Sequence, residues 1–406
     1  MKHCNSLLII LVLFIFQHTS SSAFTNNNRH SIDSINKAID TLEKEKIVLF
    51  NLSYLGDVSG NLSGGIQTGF AYMGMANLMI ETDLEKARLI KGGKIFLNAA
   101  NIHATRSLTE LTGDIQVSSN IDAGNHTYLQ ELWYKQVLGN LELTFGLQDL
   151  NVEFACSDHG GSYINSSFGI LPTISLNTSA PIFPLTTLGF TAKWNITDKL
   201  TWLGTIHDGS ATDFEDNPYN LKWHLKKTDH LLTVTEIQFH NNLENLPGSY
   251  KVGAFMTNHL RKQSPEDVLA DTFNVATHGF YFHADQNFWS SGNKSAGLFS
   301  QVGYTPVETS VSDYYISLGL NYNGLFTKSG NDILGIAVGY THFTHFEDTH
   351  QSPRLKPETV IELTYQYQVN DFFFIQPDLQ YIINPAGTGA NLESAFVGIL
   401  RLGVSL

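Results

Sequence analysis

Cysteine is almost missing from this chain of 406 residues, which has only Cys4 and Cys156. Cys4 precedes an apolar run from Leu7 to Phe16, which follows Lys2 and His3 and leads into Ser21-Ser22-Ala23. This is the pattern of a secretory leader over 1–23, with the mature chain expected to start near Phe24. A lipid anchor would need its cysteine just after the apolar core, so none is expected. Cys156 then stands alone, an internal disulfide is excluded, and stability has to come from backbone pairing and burial. Basic side chains are also scarce, 24 against 38 acidic ones for a formal charge of −14, and losing Lys2 with the leader makes it −15. Nucleic acid is not an expected partner, because phosphate binding needs clustered Lys and Arg. After Phe16 no apolar stretch approaches the roughly 18 residues of a spanning helix, so any membrane crossing has to be made by strands.

Catalytic signatures are absent as well. There is no Gly-x-Ser-x-Gly elbow, no His-Glu-x-x-His helix, no phosphate-binding Gly-x-x-x-x-Gly-Lys and no cysteine pair for zinc. The cluster His342, His345, Glu347, Asp348 and His350 fits no defined metal spacing. No enzyme activity, metal or cofactor is expected.

What the chain does have is alternation with a period of two. Ile361, Leu363, Tyr365, Tyr367 and Val369 interleave with Glu362, Thr364, Gln366 and Gln368. Leu141, Leu143, Phe145 and Leu147 alternate with Glu142, Thr144 and Gln148, and Leu188, Phe190, Ala192, Trp194 and Ile196 with Thr187, Thr191, Lys193 and Asn195. The pattern predicts strands near 47–56, 68–81, 93–103, 128–138, 140–149, 186–196, 199–208, 230–241, 248–258, 278–288, 296–305, 313–323, 332–343, 358–369, 371–382 and 393–406. Most have the ~10 residues that a tilted strand needs to cross the hydrocarbon layer.

The connections alternate too. Gly139, Thr197-Asp198 and Asn370 mark tight links, between long ones at 104–127, 150–185, 209–229, 259–277 and 344–357. An all-β, antiparallel up-and-down transmembrane barrel of about sixteen strands has this asymmetry, with periplasmic turns on one rim and extracellular loops on the other. Trp194 and Trp202, on the apolar face beside Thr197-Asp198, suit an interfacial aromatic girdle. The expected organisation is a leader at 1–23, a periplasmic segment at 24–46 that is either a short helix through Ile32, Ile35, Ile39 and Leu42 or disordered, and a barrel over 47–406. Such a barrel sits in the outer membrane of a Gram-negative bacterium, in contact with lipid and lipopolysaccharide, and is inserted by the outer-membrane assembly machinery.

Particular residues carry a resemblance. The run YLGDVSGNLSGG from Tyr54 to Gly65, DLEK from Asp83 with Gly92-Gly93, ELWY from Glu131, NSSFG from Asn165, HDG from His207, and QPDLQY from Gln376 with Asn384-Pro385 resemble, in order, the carbohydrate-selective porins of the OprB family. The resemblance implies a sixteen-stranded pore for passive uptake of small neutral sugars, as a monomer or a homotrimer. It leaves the sugar unspecified. The carboxyl end departs from the usual barrel pattern, since Leu406 stands where an aromatic residue is common.

A barrel of about sixteen strands leaves a water-filled lumen, and its inward side chains set selectivity. Alternation places Glu131, Trp133 and Lys135 inside, with Leu132 and Tyr134 toward lipid. This triplet either holds sugar hydroxyls while the indole stacks on a pyranose ring, or is a charge pair that braces the wall. Glu142, Gln148, Glu362, Gln366, Gln376, Asp378, Gln380 and Arg401 are also expected inward, with Arg401 paired to Asp378 or Glu362. Loop 150–185 holds Phe154, Tyr163, Ile164, Phe168, Ile170, Leu171, Ile174 and Phe183, more apolar side chains than a surface tip sustains. It is expected to fold into the barrel, with Phe154, Phe168 and Ile170 as anchors and Glu153, Asp158, His159, Asn165 and Ser166 narrowing the channel. The acidic excess keeps a general or cation-preferring pore open, and a plugged adhesin or structural barrel is the alternative from another class.

Overall fold

The computed structural model describes residues 46–223, 230–243, 246–262, 272–306, 310–344, 356–388 and 391–406. The leader at 1–23, nearly all of the segment at 24–46, and His345, Glu347, Asp348 and His350 lie outside the described residues. Sixteen strands follow one another: β1 Val48–Gly65, β2 Gly69–Asp83, β3 Gly93–Ala104, β4 His126–Leu138, β5 Leu141–Gln148, β6 Thr187–Asn195, β7 Leu200–Asp208 and β8 Leu231–Leu243, then β9 Leu246–Lys262, β10 Thr272–Ser291, β11 Lys294–Tyr304, β12 Ser312–Asn323, β13 Asp332–Phe343, β14 Glu358–Asn370, β15 Phe373–Ile383 and β16 Glu393–Ser405. Each pairs antiparallel with its sequence neighbours, and β1 with β16 closes the barrel. Closure satisfies every strand edge, which lipid requires because it offers the backbone no hydrogen-bond partner. Leu406 takes part, exchanging backbone hydrogen bonds with Leu52 at 2.9 and 3.1 Å.

Alternation has the expected sense. On β14, Val360, Glu362 and Thr364 are buried toward the interior, while Ile361 and Leu363 are 39% and 45% exposed on the outer face. Trp194 is exposed on that face, in register with Trp202 across the 196–199 turn, and the Trp202 indole N–H donates to the Thr235 hydroxyl at 3.0 Å.

Three of the departures from the sequence expectation shape the wall and the lumen. Strand β1 runs to Gly65 instead of ending near 56, because Asp57, Ser59 and Asn61 face a polar interior between outward Gly56 and Gly60. These residue types are depleted in strands and mask the pattern. The rhythm of connections is also looser, since 84–92 and 324–331 are longer than turns, whereas 66–68 on the opposite rim is brief.

Third, two connections fold into the lumen instead of one. Loop 105–125, expected as an outer loop, buries Leu108, Leu111 and Ile121 in the same core as Met73, Val397 and Ile399. Loop 149–186 contributes Tyr163, Ile164 and Phe168 to that core, and Leu150, Phe154, Ile170, Leu171 and Ile174 to a second one against Leu203, Leu232, Val234, Phe255 and Tyr281 of the wall. Phe183 packs at the edge of a third cluster with Tyr128. Small residues make the seats: a β-carbon at Gly303 would collide with the Thr173 hydroxyl, and one at Gly335 with the Tyr163 hydroxyl.

Candidate functional site

The inward loops are held by wall carboxylates that accept their hydrogen bonds. Glu362 on β14 takes the amides of Ile164 and Asn165 at 2.6 and 3.0 Å. Asp285 on β10 takes the His159 amide at 2.9 Å and the Ser157 hydroxyl at 2.7 Å. Glu236 on β8 takes the Ala155 amide at 2.9 Å, and Glu358, at the start of β14, takes the amides of Ile115 and Gln116 from loop 105–125. Losing such a bond would leave a buried acceptor unpaired, at a cost of about 1–3 kcal/mol, so the positions of the loops are strongly determined. The loops also join each other, through the Asn120 amide to the Ile164 carbonyl at 2.9 Å and the Ser166 amide to the Val117 carbonyl at 3.0 Å.

At the neck of loop 149–186, the Asp149 carboxylate accepts from the amides of Asn151 and Phe183 and from the Gln130 side chain, at 2.9, 3.1 and 3.0 Å. Burial pushes Asp149 up to about 6 against these stabilising hydrogen bonds. Burial also pushes the Cys156 thiol up, which keeps it from being a reactive thiolate.

These contacts divide the expected site residues into two groups. Glu362, Asp378, Arg401, His159, Asn165 and Phe168 lie on the loop-filled side. The Asn165 side chain donates to Gln380 at 3.1 Å, and His159 is buried against Gly297. Asn165 and His159 are therefore spent on anchoring and are not turned toward a solute. Ser166 stays half-buried and Asp158 exposed. Arg401 pairs with neither Asp378 nor Glu362. Its guanidinium grips Asp57 through two hydrogen bonds at 2.7 and 2.8 Å and reaches Asn120 at 2.8 Å. Asp57 is directly opposite it across the β1–β16 seam, a partner hidden by the masked end of β1. Asp378 accepts instead from Gln380 at 3.0 Å. Gln148 is buried in the wall, bonded to the Gly189 carbonyl and to Thr191. Of the histidine cluster, His342 stacks on Tyr314 and hydrogen-bonds Asp313 at 2.6 Å.

The second group lines the side left partly open to solvent. On β4, Trp133 donates from its indole N–H to Glu131 at 3.2 Å, and the Lys135 ammonium lies 5.3 Å from the Trp133 ring centre. Lys135 is 3.2 Å from Glu142 and 3.9 Å from Glu153, and Glu153 is 2.9 Å from Lys193. Phe96 stacks on Trp133 with ring centres 4.9 Å apart, and Lys94 pairs with Glu81 at 2.8 Å. The result is a track of half-exposed charges and ring faces along β2–β6, with Glu153 brought to it by the inward loop. Glu131 is buried and orients the indole. Phe96 and Lys94 were not named in the sequence, and Lys193 only as a polar position of its strand, although each follows from register: Phe96 is opposite Trp133, Lys94 opposite Lys135 and Lys193 opposite Glu142.

A closed sixteen-stranded barrel with a polar lumen narrowed by its own loops defines a porin of the outer membrane. The carbohydrate-selective porin, OprB family model matches residues 67–406, and the chain belongs to that family. It is 25% identical to Porin B of Pseudomonas aeruginosa over 439 aligned residues, covering 94% of this chain and 92% of the relative. The high-pH structure of Pseudomonas putida OprB aligns with TM-score 0.77 and 21% identity, covering 92% of this chain and 97% of the other. The trimer form of OmpT from Vibrio cholerae shares the fold at TM-score 0.53 and 10% identity, covering 88% and 99%.

Proposed function

We propose that small neutral sugars diffuse passively through this barrel along the β2–β6 side, with Trp133 as the ring on which they stack and Lys135, Glu142, Glu153 and Lys193 as the groups that bond their hydroxyls. The observation that carries this is the partly exposed track of aromatic faces and neutralised charge pairs, beside the part of the lumen that the loops fill. Opposed charges with little net field suit a neutral polyol, whereas a ring of one sign would favour ions. Trp133→Ala is expected to raise the sugar concentration that half-blocks ion current, or to lower sugar flux, by more than it alters sugar-free conductance. Equal changes in both would mean only a wider or distorted pore.

The chain is proposed to be exported by a cleaved leader at 1–23, to assemble through the outer-membrane insertion machinery among lipid and lipopolysaccharide, and to act as a monomer or homotrimer. Its long connections 105–125, 149–186 and 209–230 are proposed to open to the exterior and the turns at 139–140 and 371–372 to the periplasm. A tag in 209–230 is expected to be labelled on intact cells and one at Asp371 only after the outer membrane is breached. The opposite pattern would invert the topology.

A further inference from the structure

A second polar feature of β4 is not used by the path past Trp133. Pairing between β3 and β4 slips at Asn98 and Ala99 because Gln130 is an extra residue in β4, and such bulges re-aim side chains. The slip sets Tyr128 opposite Ala100 and Glu131 opposite Asn98, so Tyr128, Glu131 and Asn98 share the lumenal face although 128 and 131 differ in parity. Tyr128, Gln130 and Asn98 are each more than nine-tenths buried. Each also leaves one polar atom with no protein partner: the Tyr128 hydroxyl, Oε1 of Gln130 and Oδ1 of Asn98. The orientation of Gln130 is fixed, because its nitrogen donates to Asp149 and its oxygen is therefore the free end. The neighbouring carboxylates are already engaged, Glu131 by the Trp133 indole and Asp149 by Gln130 and two amides. What remains unpaired is neutral: two carbonyl acceptors and a phenol.

Rings roof this place. Phe214, from loop 209–230, stacks on His126 with centres 3.9 Å apart and meets Tyr128 edge-on at 4.8 Å, and Phe183 packs beside them. Neutral acceptors and a hydroxyl among aromatic side chains suit a sugar, which bonds through its hydroxyls and packs through its C–H faces.

Building on the sugar path above, we propose that Tyr128, Gln130 and Asn98 at the β3–β4 bulge form, once the Phe214 side chain turns aside, a recess that is a second station for a neutral sugar, on the loop side of Trp133. A sugar's hydroxyls donate to Gln130 and Asn98 and bond the phenol of Tyr128 when the Phe214 side chain turns aside.

Tyr128→Phe keeps the ring and removes the hydroxyl, so it tests the station without disturbing packing. Glucose block of ion current through the full-length protein in planar bilayers is measured for this variant, for Trp133→Ala and for the parent. Loss of one hydrogen bond to a bound sugar is expected to raise the half-blocking glucose concentration about three- to tenfold with sugar-free conductance unchanged. If Tyr128→Phe leaves glucose block intact while Trp133→Ala weakens it, the recess is no sugar station and the path past Trp133 stands. If neither variant changes the block, the path itself fails and the recess with it. A Tyr128→Phe variant that changes sugar-free conductance as much as sugar block also overturns the proposal, since the hydroxyl would then only shape the pore.

Discussion

Excising Tyr163 to Ile174 is expected to leave an inserted barrel whose single-channel conductance is several-fold higher and whose discrimination among neutral sugars is largely lost. The strand ladder does not pass through this segment, because every β-strand pairs only with other strands, so closure survives the deletion. The segment does fill lumen cross-section: Ile164, Phe168 and Leu171 are fully buried among wall side chains such as Phe299 and Tyr315. Its removal also frees Glu362, which accepts the amides of Ile164 and Asn165, and lets the remainder of the loop, with Glu153 at its near end, move away from Lys135 and Lys193. Both effects widen the lumen. Heat-modifiable migration on a gel confirms that the variant is folded, and planar-bilayer recording then decides. Unchanged conductance in the folded variant would place the constriction on wall side chains alone.

Asp57→Ala is expected to destabilise the barrel by about 3–5 kcal/mol, the usual consequence of stranding one member of a buried ion pair. Asp57 and Arg401 side chains are 0% and 6% exposed. Asp57 also accepts the Ser119 hydroxyl at 2.7 Å, so this carboxylate ties β1, β16 and loop 105–125 at the seam that closes the barrel. The double variant Asp57→Ala with Arg401→Ala is expected to be more stable than Asp57→Ala alone, because the guanidinium is no longer left buried without a counter-charge. Urea unfolding in detergent micelles measures the parent, Asp57→Ala, Arg401→Ala and the double variant. Strictly additive losses would show that the pair is not coupled and that each side chain acts by packing.

The barrel could be read from the sequence because alternation is a local property: β14 and β6 show it within ten residues, and their outward Leu, Phe, Tyr and Trp leave little choice of face. The inward folding of loop 149–186 was legible from its apolar content. The same signal, weaker, was present in Leu108, Leu111, Ile115 and Ile121 of loop 105–125, but there it is spread among Ser, Thr, Asp and Gly and reads as a surface loop. Long-range partners were harder to find. Arg401 was expected to bond a carboxylate on β14 or β15, yet its partner belongs to β1, whose polar, glycine-rich second half hides its strand character and its register with β16. Asn165 illustrates the same limit, since a polar residue inside a pore loop looks solute-facing until the wall groups Gln380 and Glu362 that satisfy it are known. Glu131, Trp133 and Lys135 share one face because the bulge at Gln130 falls before them and the phase is unbroken from Glu131 onward.

The account turns on a lumen that passes neutral sugars in preference to other small solutes, and swelling of proteoliposomes tests this most directly. Vesicles carrying the purified protein are transferred into isotonic glucose, a neutral oligosaccharide or a zwitterionic amino acid of similar size to glucose, and the initial rates are compared. Faster entry of glucose than of the amino acid is expected, with the oligosaccharide slowed by the loop-narrowed ring. Rates that follow solute size alone would make the barrel a general diffusion pore, and the absence of swelling with any solute would make it a plugged barrel, either of which contradicts the account.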